Sequence, residues 1–204
     1  MVVNFKKRRD VIKVNHKKPF IVGIAGGSGS GKSTFCSVLK EKLSNYKIAT
    51  IHSDDYYKSV LPKIISPRSG IEYDDYNHPT SVNENKLVHD LNSLIESDID
   101  IILIDSLFTL YYESIREKLD LKIFIDLPSD ERLIRRIKRN MQWGLSFDEI
   151  SDYYLDTVRY RHNEFIEPTR VYADLVVSGN YSEQTLHMIM NCITSYFDFK
   201  NVST

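Results

Sequence analysis

Phe20-Ile21-Val22-Gly23-Ile24-Ala25, followed at once by Gly26-Gly27-Ser28-Gly29-Ser30-Gly31-Lys32-Ser33-Thr34, is the stretch on which the fold turns. Its first six residues are apolar or small without alternation, the pattern of a strand covered on both faces. The residues from Gly26 to Ser33 match G-x-x-x-x-G-K-[ST], the Walker A pattern, and a helical period runs on from Lys32 to Leu43. Glycines let the backbone wrap closely around phosphate oxygens, its N–H groups turn inward, and the helix N-terminus adds favourable partial charge. Gly26 through Thr34 therefore read as a nucleotide cradle. In it Lys32 reaches the β- and γ-phosphates and the Ser33 hydroxyl holds Mg²⁺. The glycines are not spaced as G-x-G-x-x-G, which disfavours a dinucleotide site.

Outward from this stretch, strand-like and helix-like segments alternate, as in a parallel sheet wrapped by helices. Strands are expected at Phe20 to Ala25, Lys47 to His52, Ile99 to Ile104, Leu119 to Leu127 and Tyr172 to Val177. Helices are expected at Lys32 to Leu43, Val82 to Glu96, Leu110 to Lys118, Asp130 to Met141, Phe147 to Phe165 and Ser182 to Phe197. The fold class is α/β: a P-loop NTPase three-layer α/β/α sandwich with a mostly parallel five-stranded sheet. Asp54 to Thr80, rich in Tyr, Asp, Pro and Ser, reads as a long irregular loop. It follows the second strand, at the carboxyl edge where ligands of open α/β sheets gather.

Composition narrows the function. The chain has 204 residues and 27 basic against 28 acidic side chains, for a net charge of -1. One domain, residues 19–204, follows a basic extension, 1–18, that reads as a solvated arm. The near-neutral balance suggests no long nucleic-acid or membrane footprint and favours a small-molecule partner. Cys36 and Cys192 show no metal-ligand spacing and read as buried, reduced thiols. Neither a secretory signal nor an apolar span is evident, so a cytoplasmic location is expected. Homo-oligomer formation stays open.

Transfer of a phosphoryl group to an alcohol needs a carboxylate beside the attacking hydroxyl and a group that holds the metal. Asp54, Asp55 and Asp105 all stand at the ends of expected strands and are the candidates. Around them the sequence resembles the uridine kinase and phosphoribulokinase family of P-loop kinases over about residues 19 to 180. The likeness rests on Ile24 to Ser33, Asp54-Asp55-Tyr56-Tyr57-Lys58, Tyr76-Asn77-His78-Pro79, Arg135 to Asn140, and Phe165 to Asp174. The resemblance implies ATP as donor, with Asp54 as general base and also near the metal, and Asp105 helping Ser33 to hold Mg²⁺. It further implies that Tyr57, Tyr76, Asn77 and His78 face the acceptor. Arg136 and Arg139 would lie in a helical lid at about 136–146 that acts with Lys32 on the transferred phosphoryl group.

Departures from the family's pattern fall on the acceptor side. The family's acid before His-Pro is Asn77 here, and the chain passes from Leu94 to Ile99 without the base-contacting hairpin of uridine kinases. The lid run Arg139-Asn140-Met141-Gln142-Trp143-Gly144-Leu145 is one residue shorter than the family's and lacks its last two arginines. Lys58, Lys138, Arg159 and Arg161 are candidates to replace that charge, and Trp143 either packs or stacks on a ring. Three readings stay open: an ATP-dependent kinase of a nucleoside-like acceptor; a related kinase of pantothenate, nicotinamide riboside or a sugar phosphate; and a non-catalytic ATP-binding module.

Overall fold

The strand β1 (Phe20–Gly26) is buried along its whole length, as its unbroken apolar run requires. It lies at the centre of a parallel five-stranded sheet of order β2-β5-β1-β6-β7, in a computed structural model that describes residues 18–202. The other strands are β2 (Ile48–His52), β5 (Ile101–Asp105), β6 (Leu121–Asp126) and β7 (Leu175–Ser178). Most of the basic extension lies outside the described residues. Strand register sets one row at the carboxyl edge: Ile24 pairs with Asp105, and Asp105 with His52.

Alternation along β1 feeds two cores. Phe20, Val22 and Ile24 pack with Phe35 and Leu39 of α1 (Lys32–Lys42) and with Leu186, Ile189 and Ile193 of α7 (Glu183–Val202). Ile21 and Ala25 face the other way, onto Leu87 and Leu91 of α2 (Glu84–Ile95), onto Phe108 of the turn after β5, and onto Ile115 of α3 (Glu113–Arg116). Helices thus cover both faces of the sheet, as the sequence implied. Cys36 is buried among the first set and its thiol is pushed up to about 12 by burial, whereas Cys192 is exposed on α7, contrary to expectation.

Several boundaries differ from expectation. The helix expected at Leu110 to Lys118 shrinks to α3, because Leu110 and Tyr112 are buried from within a tight turn. That turn is closed by the Phe108 N–H donating to Ser106 Oγ (2.9 Å) and the Arg116 guanidinium donating to the Leu110 carbonyl (2.9 Å). Phe147 to Phe165 is helical but not uniform: α5 (Phe147–Tyr153) passes into a π-helical turn (Tyr154–Val158), α6 (Arg159–Arg161) and a second π turn (His162–Ile166). A 3₁₀ segment (Glu167–Tyr172) containing Pro168 then delays the last strand to Leu175. The lid candidate joins α4 (Ser129–Met141) to α5 through Gly144, at φ 88, and the Ser146–Glu149 capping box.

The largest difference is in Asp54 to Thr80, which is not irregular. It holds an antiparallel hairpin, β3 (Lys63–Ile65) and β4 (Glu72–Asp74). Two strands of three residues cannot stand alone. Asp156, only 1% exposed on the π turn, holds them. It accepts from Arg68 Nε (2.5 Å), Ser69 Oγ (2.8 Å) and Tyr73 OH (2.8 Å). Beside it Arg161 Nε donates to buried Asp75 (2.7 Å), and Tyr153 OH donates to the Asp74 carbonyl (2.8 Å). Donation from Arg68, joined by Ser69 and Tyr73, keeps the Asp156 carboxyl well below the usual carboxylate range despite its burial. A carboxyl with a depressed folded-state pKa contributes stability above its unfolded value of about 3.9, and that stability is lost as pH falls toward the folded value. Asp156→Ala is therefore expected to lower stability at neutral pH by about 1–3 kcal/mol. In urea denaturation its deficit against the wild type should shrink below about pH 4.

Candidate active site

The sheet order places the carboxyl ends of β1, β2 and β5 side by side, and the turn after β1 forms the cradle. Its shape depends on two glycines. Gly29 has φ 81, and a Cβ there would lie 2.5 Å from the Arg132 carbonyl oxygen; a Cβ at Gly27 would run into the Arg132 guanidinium. The first turn of α1 has neither an acidic residue nor a side-chain cap, so its N–H groups remain available to an anion. Lys32 is buried and donates from Nζ to the Gly27 carbonyl (3.1 Å); burial lowers its pKa, against the pull of Asp105 and Asp54. Ser30 Oγ, Arg132 Nη1, Arg136 Nε and His162 Nδ1 are buried without a hydrogen-bond partner. This set, rich in donors and positive charge around the loop, fits a polyphosphate.

Four arginines of α4, at 132, 135, 136 and 139, follow the i, i+3, i+4, i+7 spacing of one helix face. Arg132 Nε donates to the Leu127 carbonyl (3.0 Å), Arg135 donates to the Gly179 carbonyl (3.4 Å), and Arg136 Nη1 donates to Ser28 Oγ (2.8 Å). The Arg136 guanidinium also lies 5.6 Å from the Tyr153 ring, and burial followed by Arg139 lowers its pKa.

One cavity of about 460 Å³ gathers the expected residues: Ser28, Gly29, Lys32 and Ser33 of the cradle, the acids Asp54, Asp55 and Asp105, and Tyr57, Tyr76 and Asn77. Arg136, Arg139 and Trp143 complete the wall. Asp54 opens onto it from a 3₁₀ turn after β2, where desolvation by the walls and the nearby Asp105 raise its pKa against the opposing charge of Lys32. Asp105 is buried at the end of β5, and its Oδ2 lies 3.2 Å from His52 Nδ1. With Ser33 in the same cavity, these oxygen donors suit Mg²⁺.

The phosphoribulokinase/uridine kinase family model matches residues 67–185. A uridine kinase from Streptococcus agalactiae serotype V is 34% identical over 190 residues, covering 81% of this chain and 90% of that protein. The chain belongs to the phosphoribulokinase/uridine kinase family. It is accordingly a phosphotransferase with a hydroxyl acceptor. A uridine kinase from Streptococcus mutans serotype c is 35% identical with the same coverage. In fold, the kinase is similar to shikimate kinase from Acinetobacter baumannii, with a TM-score of 0.52, 15% identity and coverage of 87% of this chain and 94% of the other.

Not every expected residue reaches the cavity of this kinase. His78 lines a separate cleft with Lys58 and Tyr111; its Nδ1 accepts from the Thr80 N–H (3.1 Å) and its ring packs on Phe165. None of Lys58, Lys138, Arg159 and Arg161 lines the main cavity. Arg161 is held by Asp75 and Glu164, and Arg159 Nη2 donates to Tyr160 OH (2.9 Å). The positive charge near the loop comes instead from Arg132 and Arg135, which sequence reasoning missed although the helical spacing of the four arginines marks them. His52 and Asp75 were missed too. His52 had a signal, a titratable residue closing the strand two positions before the Asp54-Asp55 pair; Asp75 had none before its partner Arg161 was located. Gly27→Ala is expected to displace Arg132 and weaken MgADP binding by roughly tenfold or more, with little change in fold, as calorimetric titration and circular dichroism would measure.

Proposed function

We propose that this kinase transfers the γ-phosphoryl group of ATP to a hydroxyl of a nucleoside, with uridine as the first acceptor to test. The observation that carries the reading is that one cavity joins the cradle, through Lys32 and Ser33, to Asp54 on the turn after β2 and Asp105 at the end of neighbouring β5. The uridine kinases similar to this chain over most of its length support the choice of acceptor class.

In this reading the backbone of Gly26 to Thr34 and the Lys32 ammonium hold the β- and γ-phosphates. Ser33 and Asp105, with Asp54 close by, hold Mg²⁺, which neutralises phosphate charge when bound. The acceptor rests between Tyr57, Tyr76 and Asn77. Asp54 orients its hydroxyl and takes the proton as the oxygen forms its bond to phosphorus and the bond to the ADP oxygen breaks. A carboxyl raised by its walls is a better base than one in water, and the charge of Lys32 opposes that rise. Arg136 and Arg139 stabilise charge on the transferred group, and residues 136–146 act as the lid that excludes water. Such a reaction uses the cytoplasmic nucleotide pool.

Asp54→Asn is expected to leave MgATP affinity within about threefold and to lower kcat by roughly two orders of magnitude or more, in a coupled ADP-release assay with uridine. Undiminished turnover would remove Asp54 from the role of base. A second reading, a related kinase with another acceptor, draws on one feature: Tyr76 and Asn77 wall the cavity, and the segment from Leu94 to Ile99 is too short to add a hairpin to it. Running the same assay with cytidine, nicotinamide riboside, pantothenate and simple sugars decides between them. Turnover on a sugar or pantothenate and not on any nucleoside would replace the first reading by the second.

A further inference from the structure

We infer that Trp143 determines acceptor specificity by stacking on a planar heterocyclic base of the acceptor, so that the enzyme selects nucleosides over free sugars. The inference rests on the kinase reading above and assigns a residue within it. Trp143 is 68% exposed, so the bland alternative of core packing does not hold. A large aromatic ring left open to solvent costs burial that the fold could otherwise have used, and here the ring opens onto the cavity that contains Asp54, Tyr57, Tyr76 and Asn77.

Two further observations fix which ligand the ring meets. The indole is held from one side by the Arg139 guanidinium, whose carbon lies 5.1 Å from the ring centroid. Arg139 also lines a second cleft of about 270 Å³ on the other side of the cradle, with Gly31, Thr34 and Arg135, and Trp143 does not line it. The ring therefore stands at the end of the phosphate site where Asp54 and the acceptor lie. The indole offers the cavity a neutral π-face. Stacking on such a face needs a flat unsaturated ring and tolerates different bases, because every base has a π-face. A ring-stacking residue in the lid also supplies the base contact for which the short segment between α2 and β5 has no room.

Trp143 is the one tryptophan of the chain, so its emission reports this position alone. The experiment titrates uridine, and separately ribose, into the wild-type protein held at saturating MgADP, and reads tryptophan fluorescence. Saturable quenching by uridine and none by ribose is expected. The companion measurement compares steady-state kinetics of the wild type, Trp143→Leu and Trp143→Phe. Leucine is expected to raise the KM for uridine by roughly tenfold and the KM for ATP by less than about twofold, and phenylalanine to recover most of the loss. An unchanged KM for uridine in Trp143→Leu, equal responses to ribose and uridine, or quenching complete with MgADP alone would each overturn the inference. Quenching by uridine without turnover would leave the stacking intact and refute the kinase reading instead; turnover without quenching would do the reverse.

Discussion

The backbone of the phosphate loop lies directly against the first turn of α4, and that contact governs the rest of the site. At Gly27 and Gly29 there is no room for a side chain, because the Arg132 guanidinium and carbonyl oxygen occupy the space. The close approach lets one helix face present Arg132, Arg135, Arg136 and Arg139 to the loop. Four like charges along a helix repel one another and destabilise the unliganded protein. Burial lowers the Arg136 pKa, and the charge of neighbouring Arg139 lowers it further. A bound polyphosphate removes that repulsion, so part of the binding energy is set aside in the fold.

The acids follow from sheet geometry. Parallel pairing puts Ile24, Asp105 and His52 in one row, and the chain leaves β2 through a single 3₁₀ turn that delivers Asp54 to the same edge. Lys32 then lies between two carboxylates whose charges oppose the effect of its burial. Neither acid needs a flexible loop to reach the cradle. Groups at a strand end, or on the tight turn directly after one, are held more firmly than groups on long loops, which suits chemistry that works mainly by positioning.

How much of this was legible in the sequence depends on the range of the forces involved. β1, α1, β5 and the placement of Asp54 and Asp105 could be read, because an apolar run covered on both faces and a phosphate loop are local signals. The parallel sheet with helices on both faces followed from the alternation of strand-like and helix-like segments, but the order of its strands did not. The β3–β4 hairpin could not be read, since its short strands carry no convincing period and stand on Asp156, more than eighty residues away from Arg68, Ser69 and Tyr73. The π turns were hidden for a similar reason: the residues from Phe147 onward have helical character, and only their partners decide where an extra residue is accommodated. His78 misled because sequence shows which residues neighbour a motif but not that a ring will turn away to cap its own turn.

The clamp at Asp156 makes the β3–β4 hairpin a cassette with its lock on another part of the chain. Arg68, Ser69 and Tyr73 are the key, Asp156 and Arg161 with Asp75 are the lock, and Tyr153 joins the assembly to Arg136 above the phosphate loop. A transplant of residues 63–74 from a relative would bring a new hairpin without its lock and strand a buried carboxylate without donors. The hairpin and the π turn are therefore inherited as a pair of distant segments, and an engineer who exchanges the hairpin has to exchange the π turn with it.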